Sequence, residues 1–300
     1  MNTLVCVDGQ DNALKAVRLA GKFACTTSRE ASFLFVQRQR THTRTEKVPA
    51  QTVGILADLE SKVPEMKYLL AAERVFKETR AWQKDETESG ALQTTLIQIG
   101  DGVFEVGKVR LGSDTGVHLR TRIGVPQEEI LAELEDGQHD LVMLGAHRIA
   151  GCPWSEVEHG PLYVSQRAQC PVMVIGKQFE EGEPLLVCVG EEDPAESTLD
   201  LVRMIATRMK SAITVLTVLR KEDASFQFSP AVSAMMDAWS ANALEVTARV
   251  VAGDPVTVVL DMAPNYGLTV CSPGGKPKKG RLGKVTKSVL CSHTNLLIAR

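Results

Sequence analysis

Residues 270–290 read VCSPGGKPKKGRLGKVTKSVL, with four glycines and six lysine or arginine side chains in twenty-one positions. Those residue types at that spacing suit one kind of chemistry, the holding of an anion. Glycines let consecutive backbone amides approach a phosphate that a Cβ would keep away, and a helix starting behind such a loop adds partial positive charge at its first turn. Gly275 and Gly283 would supply close backbone, Lys284 a point charge and Thr286 a hydroxyl donor. The same stretch has a plainer reading, in which Lys276, Lys278 and Lys279 solubilise an exposed loop.

Other constellations point less clearly to chemistry. GVFEVGKV at 102–109 satisfies the spacing of a phosphate-binding P-loop, yet Val109 stands where a metal-binding hydroxyl is needed. His147, Cys152 and His159 are metal-ligand types whose spacing matches no standard zinc pattern, so no metal is expected. No GxSxG occurs, Cys and His lack a recognisable orienting partner, and Asp8 alone makes no acid–base pair. Catalysis therefore has little support in the residues.

The chain that must position these groups has 300 residues, 44% of them hydrophobic and 24% charged, which suits a folded chain of about two domains. Its net charge of −3 gives no overall reason to bind nucleic acid or an anionic membrane, so any anion taken by the basic stretch is expected to be small. No run reaches the ~18 apolar residues of a membrane span and no leader-like segment opens the sequence, which predicts a cytoplasmic protein. Seven cysteines without CxxC spacing, three of them (Cys6, Cys188, Cys271) inside apolar runs, are expected to be reduced core residues.

An internal repeat organises the rest. LVCV at 4–7 recurs at 186–189, and with the same offset of 182 the run ASFLFVQR at 31–38 lies over ITVLTVLR at 213–220. TRIGVPQEEI (121–130) and ARVVAGDPVTVV (248–259) each end a strand in Gly-x-Pro, where proline suits a first helical turn. The apolar strands barely alternate, as strands covered on both faces do, and DNALKAVRLAGKFA at 11–24 carries a helical stripe. The pattern predicts an α/β fold of two tandem doubly wound parallel sheets, in domains 1–178 and 184–300. The first carries an insertion at about 39–116, within which 56–83 reads as helix and 96–111 as helix or hairpin. A surface embellishment or an interface element is the expected role of this insertion.

With the repeat in view, the sequence resembles the universal stress protein family as a tandem of two domains. The resemblance is carried by LVCVDGQDNALKAV (4–17), DLVMLGAH (140–147), CPVMVIG (170–176), GLTVCSPGG (267–275) and GKVTKSVLCSHTNLLIA (283–299). Nucleotide-binding members carry Gly-x2-Gly-x9-Gly-Ser/Thr between the fourth strand and the last helix, and an acidic residue just after the first strand. In the first repeat Asp8 and Gly145 match. Arg148 replaces the second glycine, however, and Glu158-His159-Gly160-Pro161 stands at the terminal motif, where a carboxylate repels an anion and proline offers no amide. In the second repeat Ser272 replaces the first glycine, Gly275 matches the second, and Gly283-Lys284-Val285-Thr286 covers the terminal motif after seven residues rather than nine. Gly190 takes the acidic position.

The resemblance implies ATP or ADP in the C-terminal half, with Ser272, Gly275, Gly283, Lys284 and Thr286 at the phosphates and Gly190 and Val218 beside sugar and base. It implies a stress-response adaptor or nucleotide sensor without turnover. The alternatives are an ATP-hydrolysing or phosphoryl-transferring enzyme of the same superfamily and a structural interaction module that binds no nucleotide. The expected partners are the two domains for each other, through the final strands near 171–175 and 295–299, a second copy of the chain, and a client protein.

Overall fold

The computed structural model of the chain describes residues 1–24, 31–38, 51–54, 66–79, 93–100, 103–109, 117–146, 160–190, 196–220, 226–274, 282–292 and 294–300. They fall into two compact units, Met1–Gly145 and Ala146–Arg300.

In the first unit the short apolar runs become strands: β1 (Thr3–Cys6), β2 (Ala31–Gln37), β3 (Gln51–Gly54), β4 (Gln93–Gly100), β5 (Val103–Val109), β6 (Val117–Ile123) and β7 (Leu141–Gly145). Their order in the sheet is β7-β1-β2-β6-β5-β4-β3. β1 runs parallel to β2 and β7, and β2 parallel to β6. Leu4, Val5, Phe33, Leu141 and Val142 are fully buried in this sheet, which is why its strands show no polar alternation. Helix α1 (Asp11–Ala24) has Asp11 in its first turn and buries Ala13, Ala16, Val17, Ala20 and Phe23, one helical face. Small residues on that face permit close approach: a Cβ on Gly145, at the end of β7, would lie 2.7 Å from the backbone nitrogen of Ala13.

Helix α2 (Met66–Thr79) covers part of the stretch expected to be helical, whose remaining residues lie outside the described ones. It seats Phe76 edge-on against Phe33, with centroids 5.3 Å apart. The described residues of the ambiguous segment, 96–100 and 103–109, lie in a pair of antiparallel strands, β4 with β5, irregular between Gln98 and Gly100. β-branched residues at 94, 95, 97, 103, 106 and 109 favour the strand. Of the stretch with P-loop spacing, Val103–Val109 lies in a strand paired on both sides, so these described residues form no phosphate loop.

Helix α3 (Pro126–Asp136) packs beside β2 and brings a carboxylate to β6. Glu133 is fully buried, and Arg120 donates to its Oε1 at 2.6 Å while Arg122 donates to its Oε2 at 2.7 Å. The His139 ring lies 3.7 Å from the same carboxylate, and Arg122 also pairs with Asp136. Burial pushes the Glu133 carboxyl up, but the His139 imidazole and the two guanidinium groups outweigh it and hold it down at about 2.

The second unit contains α4 (Gly160–Arg167), β8 (Val172–Ile175), β9 (Leu185–Cys188), α5 (Glu196–Met209), β10 (Ile213–Leu219), α6 (Pro230–Ala241), β11 (Val246–Ala252), α7 (Pro255–Met262), β12 (Leu268–Cys271), α8 (Lys284–Cys291) and β13 (Leu296–Ile298). The sheet order is β11-β10-β9-β12-β13-β8. All pairings are parallel except the last, in which Leu296, Leu297 and Ile298 face Val174, Met173 and Val172 antiparallel. Buried Asn295 anchors that end: its carbonyl accepts the amides of Gly176 and Lys177 at 2.9 and 3.0 Å, and its amide donates to Gly267 O at 2.8 Å.

The repeat is visible in the strand bounds. β1 and β9, and β2 and β10, occupy the same positions at an offset of 182, and β7-β1-β2-β6 has the order of β12-β9-β10-β11. With β3 set aside, α2 follows β2 as α6 follows β10, which makes it a counterpart of α6 in the repeat. Among the described residues the added material is β3 and the β4–β5 hairpin, which extend the sheet antiparallel beyond β6. In the second unit the chain leaves β9 for β10 on one side and later returns to β12 on the other, opening a crevice at the carboxyl ends of β9 and β12.

Candidate functional site

The backbone leaves β12 at Cys271 and passes through Ser272, Pro273 and Gly274 on the crevice side. Gly274 has φ +77°, in the left-handed region that favours glycine. Its backbone crosses that of Gly283 so closely that a Cβ on either residue would stand 3.1 Å from the other's Cα. Gly283 N donates to Pro273 O at 2.7 Å, and the Thr286 hydroxyl to Ser272 O at 2.8 Å. Buried Leu282 anchors the returning chain. Residues 272–274 and 282–286 thus form a narrow neck, and Gly275 lies outside the described residues.

Helix α8 starts from this neck. Gly283 is its N-cap and gives it no side-chain cap, and the first backbone bond of the helix is Lys287 N to Gly283 O at 3.0 Å. The amides of Lys284, Val285 and Thr286 therefore have no acceptor within the helix, and they sit at its positive end. Lys284 is exposed there, and α8 packs against α7, whose N-cap is Asp254. The Asp254 carboxyl is held below its usual range first by the amide and hydroxyl of Thr257, each at 3.1 Å, with the Lys284 charge adding to the effect. Lys284 thus starts the helix at the neck with a carboxylate within electrostatic reach.

The sequence reading assigned the Thr286 hydroxyl to an anion. The side chain is buried and its single hydrogen goes to Ser272 O, so the hydroxyl closes the neck. Thr286→Val should cost about 1–2 kcal/mol by leaving that carbonyl without its donor, while Thr286→Ser should retain most of the stability. Urea denaturation of the three proteins measures the difference.

Gly190 and Val218 follow the carboxyl-end pairing of β9 with β10. Val189 N donates to Leu216 O at 2.9 Å and accepts at its carbonyl from the Thr217 hydroxyl at 3.4 Å, which sets Gly190 beside half-buried Val218. Among the described residues, nothing would lie within 4 Å of a Cβ on Gly190. The matching place in the first unit is filled. There Asp8 Oδ1 accepts from Gln10 N at 2.9 Å, and Gly9 (φ +81°) lies so close under the Tyr68 ring that a Cβ would clash with it. Tyr68 stacks on Phe35 at 5.5 Å and 15°. Phe35 is the counterpart of Thr217, so an aromatic pair occupies the end of β2 where β10 presents a small polar residue.

Arg148, Glu158 and His159, like the possible metal ligands His147 and Cys152, lie outside the described residues. Among the described residues no group of three or more His, Cys, Asp or Glu could hold a metal ion. Nor is any helix among them long and apolar enough to cross a membrane. Two contributors escaped the sequence reading. Gly274 was signalled by the Gly-Gly pair, whose second member was chosen instead, whereas nothing in the local sequence signalled that Tyr68 lies over Gly9.

Residues 1–176 match the profile of the universal stress protein family. The chain belongs to that family. A universal stress protein from Archaeoglobus fulgidus DSM 4304 is similar over the whole chain, at 14% identity and a TM-score of 0.64, with 100% of this chain and 96% of that one covered. A functionally unknown protein from Pseudomonas aeruginosa PAO1 follows at 15% identity and a TM-score of 0.54, covering 99% and 92%. The cytoplasmic domain of a prokaryotic cation chloride cotransporter shares the fold at 11% identity and a TM-score of 0.52, covering 99% and 94%. No curated protein matches. With full-length matches and the repeated strand order, this universal stress protein is a tandem, two-domain member with a mostly parallel α/β fold.

Proposed function

We propose that this tandem universal stress protein is a nucleotide sensor that binds ATP or ADP in its C-terminal half and acts as a stress-response adaptor without turnover. One contrast carries the reading: the stacked Phe35–Tyr68 pair closes the end of β2, while at the matching end of β10 stands Thr217, and among the described residues nothing would meet a Cβ on Gly190 in the unit that also holds the Gly274–Gly283 neck and the uncapped start of α8. The polyphosphate would lie against the amides at residues 284–286, with Lys284 at its charge and the sugar and base toward Gly190 and Val218. Binding there would change the surface offered to a client protein or a second copy of the chain.

Denaturing the purified protein and assaying the released small molecules by mass spectrometry tests the reading, together with phosphate release from added ATP. Bound ATP or ADP with no more than one phosphate per chain is the expected result. Multiple turnovers would make the protein an enzyme of the same superfamily, and neither bound nor titratable nucleotide would make it an interaction module.

A further inference from the structure

Cys188 ends β9 and Cys271 ends β12, and the two are direct partners in the parallel register of these strands. In-register neighbours on parallel strands point to the same face, and their Cα atoms lie about 4.8 Å apart, inside the range a disulfide spans. Cys271 is buried, whereas Cys188 is partly accessible. The first repeat has Cys6 in the place of Cys188 but Leu144 in the place of Cys271, so the dithiol belongs to the second repeat alone.

We propose that Cys188 and Cys271 form a redox modification site, which a low-molecular-weight disulfide of the glutathione class oxidises reversibly to an intramolecular disulfide. The Cys188 thiol loses its proton to solvent and its sulfur attacks glutathione disulfide, forming a mixed disulfide and expelling one glutathione thiolate. The Cys271 sulfur, deprotonated in turn, attacks the Cys188 sulfur and expels the second thiolate. Two protein thiols become one disulfide, one glutathione disulfide becomes two glutathiones, and the two protons end on the leaving thiolates. A metal is the poorer occupant, since no third His, Cys, Asp or Glu joins the pair among the described residues. Before oxidation Cys188 stays protonated: the neighbouring Cys271 thiol and then burial push its thiol well above the usual range. The bond would tie β9 to β12 beneath Ser272, whether or not the crevice binds a nucleotide.

Peptide mapping of the full chain after treatment with glutathione disulfide tests the site. The wild type should yield a peptide linking Cys188 to Cys271, lost again on reduction with dithiothreitol. Cys271→Ser should instead accumulate Cys188 carrying one glutathionyl group, because the resolving thiol is gone, and in Cys188→Ser the buried Cys271 should stay unmodified. A wild type in which Cys188 keeps its glutathionyl group, or in which neither cysteine reacts, would overturn the proposal.

Discussion

Glu133→Ala should destabilise the protein by about 3–5 kcal/mol, the scale for removing one partner of a buried ion pair. The carboxylate is fully buried, with Arg120 Nη1 at 2.6 Å and Arg122 Nε at 2.7 Å, so its loss takes from both guanidinium groups their shared buried partner and leaves Arg120 with Glu105 and Arg122 with Glu129 and Asp136. The same group sets part of the acid stability. Its carboxyl titrates at about 2 when folded against 4.5 as a free side chain, so between those values the unfolded chain binds the extra proton. Its contribution is complete above about pH 4.5 and is lost as the pH falls toward 2, amounting to roughly 3 kcal/mol at about 1.4 kcal/mol per unit. Glu133→Gln should flatten that part of the stability curve. Urea denaturation at pH 7, 4 and 3 measures both effects, and a Gln variant with the wild-type slope would contradict the assignment.

Much of this arrangement was legible in advance, for physical reasons that differ by element. β1, β2, β9 and β10 announce themselves because strands buried on both faces must be apolar throughout, and a repeated register leaves the same letters at a fixed offset. The start of α8 was legible through the family resemblance, which sets Gly283-Lys284-Val285-Thr286 over the terminal motif, and not through local propensity, since Val285, Thr286 and Val289 are β-branched. The hairpin of β4 and β5 was not decided, since glycines at 100, 102 and 107 weaken helix and strand alike and only pairing with β6 settles the choice. Thr286 was misread because its hydroxyl can serve an anion or a carbonyl, and only the crossing of Gly274 over Gly283 shows that Ser272 O is in reach. Tyr68 lay beyond local reading altogether: its contact with Gly9 depends on where α2 docks.

Lys284→Ala should weaken ATP binding about tenfold to a hundredfold, corresponding to roughly 1.5–3 kcal/mol for a lost charge-assisted contact to phosphate. The nearby Asp254 carboxylate opposes the anion and shares the Lys284 charge. Asp254→Asn should therefore tighten binding a few-fold while keeping α7 capped, because asparagine also accepts from the Thr257 amide. Opposite signs from these two changes would separate a phosphate contact from a general loss of folding, which would weaken binding in both. His159→Ala, at the terminal motif of the first repeat, should leave the affinity unchanged.

Calorimetric titration of ATP and ADP into the full chain bears most directly on the central claim, that one nucleotide occupies the C-terminal crevice. The account predicts one site per chain, weakened by Lys284→Ala and indifferent to His159→Ala. Two sites per chain, equal losses from both variants, or no binding by the wild type would contradict it.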